Sequence, residues 1–402
     1  MTRHSRSRNL SIPGHFVLLA LAAAFFAAAG GPSFAQSVAG SSISLPTTMH
    51  LRDSGWWPTK SDAGRDDYSG SQACASCHET ISASYQTTAM ARAASLASDS
   101  LPLRIHAPLA YALGPFRGEI SVAAGQPTLT VSGGSQPVTH PLVWAFGEAH
   151  MGQTFIYEQG GKFFESHMSF YEATESLDVT PGQSRALPVS AEAAAGRPMD
   201  PGEPQLCFGC HTTQSSLKNQ FDPHAAVLGV ACEHCHGPGA KHVAAMSLGM
   251  EAQGPSYILN PAHLSPVDSV DFCGACHRTW QDVVSGGFVG LGVYNVRFAP
   301  YRLENSKCWG SGDARLTCIA CHDPHKRLVT DAAFYDAKCL RCHVLGGEKK
   351  SATASGHPGR ACPKGSAKCV TCHMPKIEPP GLHSSFTDHW IRIVQPGKPY
   401  PD

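Results

Sequence analysis

The sequence predicts a mainly α and irregular fold of short helices, with a small antiparallel β subdomain near residues 115–175. Three observations predict it. The chain has 16 cysteines in 402 residues, and 14 of them fall into seven copies of C-x-x-C-H. Six of those copies crowd between residues 207 and 373, about 30 residues apiece, too few for an ordinary apolar core. About 130 residues without a copy follow the first one, and there the texture changes to short runs separated by turn residues.

The seven copies are Cys74/Cys77/His78, Cys207/Cys210/His211, Cys232/Cys235/His236, Cys273/Cys276/His277, Cys318/Cys321/His322, Cys339/Cys342/His343 and Cys369/Cys372/His373. Two thiols three positions apart reach one porphyrin edge and add to its two vinyl groups, and the adjacent imidazole turns under the ring to bind iron. Zinc knuckles also use C-x-x-C, but they do not need a His directly after the second Cys. A disulfide framework gives no reason for the histidines. The expected cofactors are therefore seven haem c groups. Short helices packed on stacked haems would replace a protein core, and 39 Gly with 30 Pro suit such irregular backbone.

Residues 176–402 read as a six-haem domain and 71–114 as a first haem segment. Between them, Gly118–Ala123, Pro127–Ser132 and Val138–Phe146 are strand-like. Thr154–Gln159 and Lys162–Phe170 flank Gly160-Gly161, a hairpin signal. Glu79–Ala94 has no Pro or Gly and sets Ile81 and Tyr85 on one face, which predicts a helix.

Residues 1–35 have the form of an export signal. Arg3, Arg6 and Arg8 precede an apolar run from Phe16 to Gly30, and Ser33-Phe34-Ala35 is a small-x-small cleavage site. The run is short for a spanning helix, so no membrane span is expected after cleavage. Residues 36–70 read as an irregular arm. The location expected is the periplasm, or beyond it. The mature chain would carry 28 basic residues against 31 acidic, and haem propionates add further negative charge, so nucleic acid is not an expected partner.

Each iron needs a second axial ligand or stays open. His242 follows His236 by six residues and His325 follows His322 by three. Neither link easily wraps a porphyrin, so each is expected to serve a neighbouring haem. His383 and His389 lie beyond the last motif and are further candidates. His150, His167, His224 and His263 read equally well as ordinary imidazoles, while His50, His106, His140 and His357 are expected not to ligate. His234, between two motif cysteines, is expected to face solvent.

The segments GSQACASCHETISASYQTTAMARA, GVACEHCHGPGAKHV, LTCIACHDPH and CVTCHMPK followed by FTDHWIR resemble the multihaem cytochromes of the cytochrome c-552/4 domain group, relatives of the tetrahaem cytochrome of ammonia oxidisers. The likeness runs from about Gly70 to Ile393 and implies electron transport in the periplasm. Related multihaem families reduce small nitrogen or sulfur compounds. The nitrite-reducing relatives carry C-x-x-C-K at the active haem, and this chain has no such motif.

Where the tetrahaem relatives place a distal His, this chain has Met90. If Glu79–Met90 were helical, the rise of about 18 Å would carry the thioether past the first haem to another. Cys308 and Cys362 remain outside the motifs. In an oxidising compartment they could form a disulfide, which similar spacing in the resembling family favours, or stay as two thiols.

The function expected is periplasmic electron transfer between redox partner proteins. The alternatives are a reductase of a small nitrogen or sulfur compound at one open haem and a subunit of an extracellular haem wire.

Overall fold

The computed structural model describes residues 63–218, 220–286, 289–310, 316–343 and 362–394. The segment expected to be an export signal and most of the expected N-terminal arm lie outside the described residues, as does His357.

The β region is larger than its sequence signals. Ten strands run from Ala94 to Pro198: β1 Ala94–Leu96, β2 Leu109–Leu113, β3 Phe116–Ala123, β4 Gln126–Ser132, β5 Val138–Pro141, β6 Trp144–Phe146, β7 Gln153–Gln159, β8 Lys162–Tyr171, β9 Ser176–Val179 and β10 Gly196–Pro198. They form two antiparallel sheets. One has the order β2-β3-β4-β5; the other has the order β1-β6-β7-β8-β10, with β9 also pairing β8. β1 and β10 are three residues long, too short to show alternation; β2, five residues long, does alternate and was missed.

In the four-stranded sheet the period-two pattern is plain. Leu109 and Tyr111 of β2, Phe116 and Ile120 of β3, and Leu129 and Val131 of β4 all point inward. Tyr111 lies over Gly118, where a Cβ would come within 2.1 Å of the phenol ring, and its hydroxyl donates to the Ala194 carbonyl at 2.7 Å. The β7–β8 hairpin turns at Gly160-Gly161, both in the left-handed region at φ 58° and 72°.

A second apolar cluster joins Trp144 and Phe146 of β6 to Phe208, which stands between the cysteines of the second motif. Phe208 is fully buried, with its ring 5.1 Å from Trp144 and 4.9 Å from Phe146. The six-stranded sheet is thus docked on a motif helix.

Outside the sheets the chain is a succession of short helices: α1 Ser71–Ala75, α2 Glu79–Tyr85, α3 Leu101–His106, α4 Ala191–Ala195, α5 Glu203–His211, α6 Cys232–His236, α7 Ala240–Ser247, α8 Pro266–His277, α9 Trp280–Ser285, α10 Ala299–Glu304, α11 Lys307–Gly310, α12 Cys318–Cys321, α13 Ala332–Cys339 and α14 Cys369–His373. The longest, α8, has 12 residues. Among the described residues no helix is long and apolar enough to cross a membrane.

One expected helix is cut short. α2 ends at Tyr85, not near Ala94. The Thr87 hydroxyl donates to the Ser84 carbonyl at 2.7 Å, and the Thr88 hydroxyl accepts from the Ala91 N–H at 3.1 Å. These local side-chain bonds compete with helical ones and turn the chain. The rise that would have carried Met90 far from the first motif is therefore not made.

Two histidines are built into the β region. His140 stacks on Tyr157 at 4.4 Å and His167 lies in β8, each with its Nε2 buried and without a hydrogen-bond partner. Burial pushes the pKa of both below the usual histidine value. The unfolded chain then binds more protons than the folded one as pH falls through about 6.5, so stability should fall there on acidification. His140→Phe, which keeps the stack, should flatten that fall when melting midpoints are compared across about pH 5–8.

Candidate haem-binding sites

Within a motif, backbone geometry does the first part of the assembly. The His78 N–H donates to the Cys74 carbonyl at 2.9 Å, His322 to Cys318 at 2.9 Å and His343 to Cys339 at 3.0 Å. This is one helical turn, so the first cysteine and the imidazole project from the same face with the second cysteine beside them. α5, α6, α8 and α14 each end on their motif histidine.

Motifs then meet in pairs through their sulfurs. Cys74 of the first motif contacts Cys232 of the third, whose thiol also reaches the Ser71 hydroxyl at 3.7 Å. Cys210 of the second contacts Cys276 of the fourth, Cys273 of the fourth contacts Cys318 of the fifth, and Cys339 of the sixth contacts Cys369 of the seventh. These thiols are the atoms that would become thioether sulfurs on covalent attachment of haem.

The motif cysteines differ in exposure. Cys77 and Cys372 are exposed, and Cys342 is half-buried beside an exposed His343. None of the three joins the sulfur contacts between motifs. Their neighbours are local: the Ser76 hydroxyl lies 3.9 Å from the Cys77 sulfur, the Thr371 hydroxyl 3.9 Å from that of Cys372, and the Cys342 N–H donates to the Cys339 carbonyl at 3.2 Å. The first motif meets the third, and the sixth meets the seventh, through the first cysteine of each motif. Cys207, Cys235 and Cys321 are half-buried, and burial raises the pKa of each thiol.

The imidazoles are arranged in two facing pairs. His236 and His325 lie with ring centroids 5.9 Å apart and planes 11° from parallel. His322 and His389 lie 6.1 Å apart at 47°. An iron bound by two imidazoles at about 2 Å from each nitrogen would separate the centroids by about 6 Å, so both pairs have the spacing of two axial ligands on one metal. The residues present fit haem c.

Backbone carbonyls orient the rings. The Nδ1–H of His211 donates to Ala93 at 2.9 Å, that of His236 to Leu259 at 2.8 Å and that of His373 to Arg392 at 2.8 Å. His242 donates in the same way to Gly254 and His389 to Thr387, each at 2.9 Å. A metal-binding histidine characteristically gives its second nitrogen to such an acceptor, which leaves the Nε2 lone pair for the metal. Burial, and then the nearby His322, push His389 down to about 4, so its ring is neutral near neutral pH.

Other expected residues have different surroundings. The His383 Nε2 is bonded to the Asp178 carboxylate at 2.7 Å, and its ring lies 4.7 Å from Tyr171. Met90 is half-buried in the turns after α2, with its carbonyl accepting from Val230 at 3.0 Å. His234 does not face solvent. It is 8% exposed, because α6 turns it inward. Cys308 and Cys362 are both half-buried.

The loop that supplies His389 was not foreseen as a buried ionic site. Asp388 is fully buried. Its carboxylate accepts from Arg302 Nε and Nη2 at 2.8 Å each, from Arg392 Nη1 at 2.6 Å and from the Trp390 N–H at 3.0 Å. Burial alone would raise this carboxyl, but the Arg302 bonds and charge override it and hold it below the usual range. The two guanidinium groups also lie 4.8 Å and 5.1 Å from the Trp390 ring centroid. The only sequence signal was an acid beside a histidine in FTDHWIR.

Comparison with known proteins agrees with the motifs. Residues 164–237, which hold the second and third motifs, match the family described as cytochrome c554 and c-prime. No curated protein matches the chain. Among solved structures, the outer cell wall cytochrome OcwA aligns with 15% identity and a TM-score of 0.44, over 82% of this chain and 80% of its own. Over residues 164–237 the chain is similar to that family, and its motifs are of the kind that binds haem c.

Proposed function

We propose that this protein is an exported electron carrier in which seven covalently bound haems pass electrons between redox partner proteins, with the periplasm as its compartment. The observation that carries the reading is the pair of facing imidazole sets, His236 with His325 and His322 with His389. Bound haem supplies one-electron ferric–ferrous chemistry. The chain's part is to hold both axial nitrogens in place, which closes those irons to substrate, and to fix the order of the motifs. That order is supported by the sulfur contacts, which link the first motif to the third, the second to the fourth, the fourth to the fifth and the sixth to the seventh. His325, which follows the fifth motif, serves the third, and so joins the first–third group to the second–fourth–fifth group.

Mass spectrometry of the mature protein should give the mass of the chain from Gln36 plus seven haems. Fewer than seven in a properly matured sample would contradict the reading, as would a resting electron paramagnetic resonance spectrum dominated by high-spin iron.

In this scheme His242, with Nδ1 already committed to Gly254, ligates through Nε2. His383 would ligate only by exchanging its Asp178 bond for iron. Met90 is proposed as a thioether ligand, which would favour ferrous iron and raise that haem's potential. The fully oxidised protein should then show the long-wavelength sulfur-to-iron absorption band, and Met90→His should abolish it. A wild-type spectrum without the band would reduce Met90 to packing.

A further inference from the structure

We propose that two buried carboxylates, Glu233 and Asp336, are positioning residues that each set the spacing of one haem pair by gripping the backbone of the partner motif. The inference rests on the reading above that these motifs carry haems.

Glu233 stands between the two cysteines of the third motif, a place where a side chain commonly faces water, yet it is 2% exposed. Its Oε1 accepts from the Ser69 N–H and its Oε2 from the Gly70 N–H, both at 2.8 Å. Ser69 and Gly70 directly precede α1, the helix of the first motif. Oε1 also accepts from the Gly239 N–H at 2.8 Å. Gly239 leads into α7, which carries His242, and a Cβ at this glycine would sit 3.1 Å from Oε1. One carboxylate thus ties together the start of the first motif, the body of the third and the helix of a candidate axial ligand.

Asp336 repeats the device. It lies in α13, three residues before Cys339 of the sixth motif, and is 8% exposed. Its carboxylate accepts from the Lys368 N–H at 2.7 Å and from the N–H of Cys369 at 2.8 Å. Cys369 is the first cysteine of the seventh motif. Lys368 is held at φ 56°, a left-handed conformation costly for a side-chain-bearing residue, which these bonds help to maintain.

The two gripped pairs are also pairs whose sulfurs touch, Cys74 with Cys232 and Cys339 with Cys369. Each partner motif is therefore fixed at two points, a sulfur contact and a carboxylate bonded to backbone. Charge-assisted bonds of this kind are stronger than neutral ones, and burial shields them from competing water. A cap that served only its own helix would not reach a second motif, as both of these do.

The test uses the full-length holoprotein. Glu233→Gln and Asp336→Asn keep the shape but present an amide N–H to a backbone N–H donor. With haem loading counted by mass spectrometry and unchanged, each variant should shift the reduction potentials of two haems and lose the magnetic coupling between them. The two haems should differ between the variants, and the remaining potentials should stay put. Loaded variants with every potential and coupling intact would overturn the proposal. Should a variant fail to mature, hydrogen exchange in the wild-type holoprotein decides: slow exchange at Ser69, Gly70, Lys368 and Cys369 supports the grip, and exchange at open-chain rates overturns it. Wild-type protein lacking haem at these motifs would sink the functional reading itself, a result the haem count separates from the others.

Discussion

Asp388→Ala is expected to lower stability by about 3–5 kcal/mol, the usual cost of removing one partner from a buried ion pair. The carboxylate is fully buried and joins Arg302 and Arg392, and Arg302 is itself only 3% exposed. Truncation would leave a desolvated guanidinium facing an apolar gap. The adjacent His389 would also lose its seat, since Ser306 binds both the His389 carbonyl, at 3.3 Å, and the Ile391 N–H, at 2.8 Å, only while this loop is in place. The expected readouts are a lower denaturant midpoint and a new high-spin iron signal. Acid should imitate the mutation. A carboxyl held below its usual value stabilises fully above about pH 4, and this contribution is lost as pH falls through the depressed value. A variant with an unchanged midpoint would mean that water already reaches Asp388.

His325→Ala should convert one iron from low spin to high spin and leave it open to carbon monoxide when reduced. The argument is geometric. The His236 ring is already fixed by its Nδ1 bond to Leu259, so the opposing ring of His325, 5.9 Å away and nearly parallel, would supply the second axial nitrogen. No other imidazole is placed against His236 among the ring contacts of the described residues. Haem loading should remain complete, because the covalent attachment uses Cys232 and Cys235. An unchanged spin state would show that the two rings do not share a metal.

How much of this could be read in advance follows from how local each interaction is. The motif residues were legible because two thiols and an imidazole must meet one porphyrin, and that constraint is written in five consecutive positions. Which thiols would be enclosed was not legible. Cys77 and Cys372 obey the same spacing as the others, yet they are exposed. That His325 would turn away from its own motif was legible because three residues cannot encircle a porphyrin. That its facing residue is His236 was not, since a tertiary pairing 89 residues apart leaves no periodic trace. Gly160-Gly161 announced its hairpin through the left-handed φ that the turn requires. β1 and β10 gave no such sign. His234 was misjudged because a residue between motif cysteines was taken to face outward, whereas a second motif packs over α6 and buries it together with Glu233.

The bond between the His211 ring and the Ala93 carbonyl has a consequence for how the β region is joined to the rest of the chain. Ala93 immediately precedes β1, and its carbonyl also accepts from the Gly147 N–H at 2.8 Å, at the end of β6. The sheet therefore ends in an oxygen that holds the plane of an imidazole in the second motif. In sequence the β region is an insert between two haem motifs and looks detachable. Mechanically it is a keystone: excising it would release the ring of His211 to rotate and strip the cover from Phe208. Homologues could lengthen or decorate its outer hairpins at no expense to the cofactor chain, but the edge at Ala93 has to stay where it is.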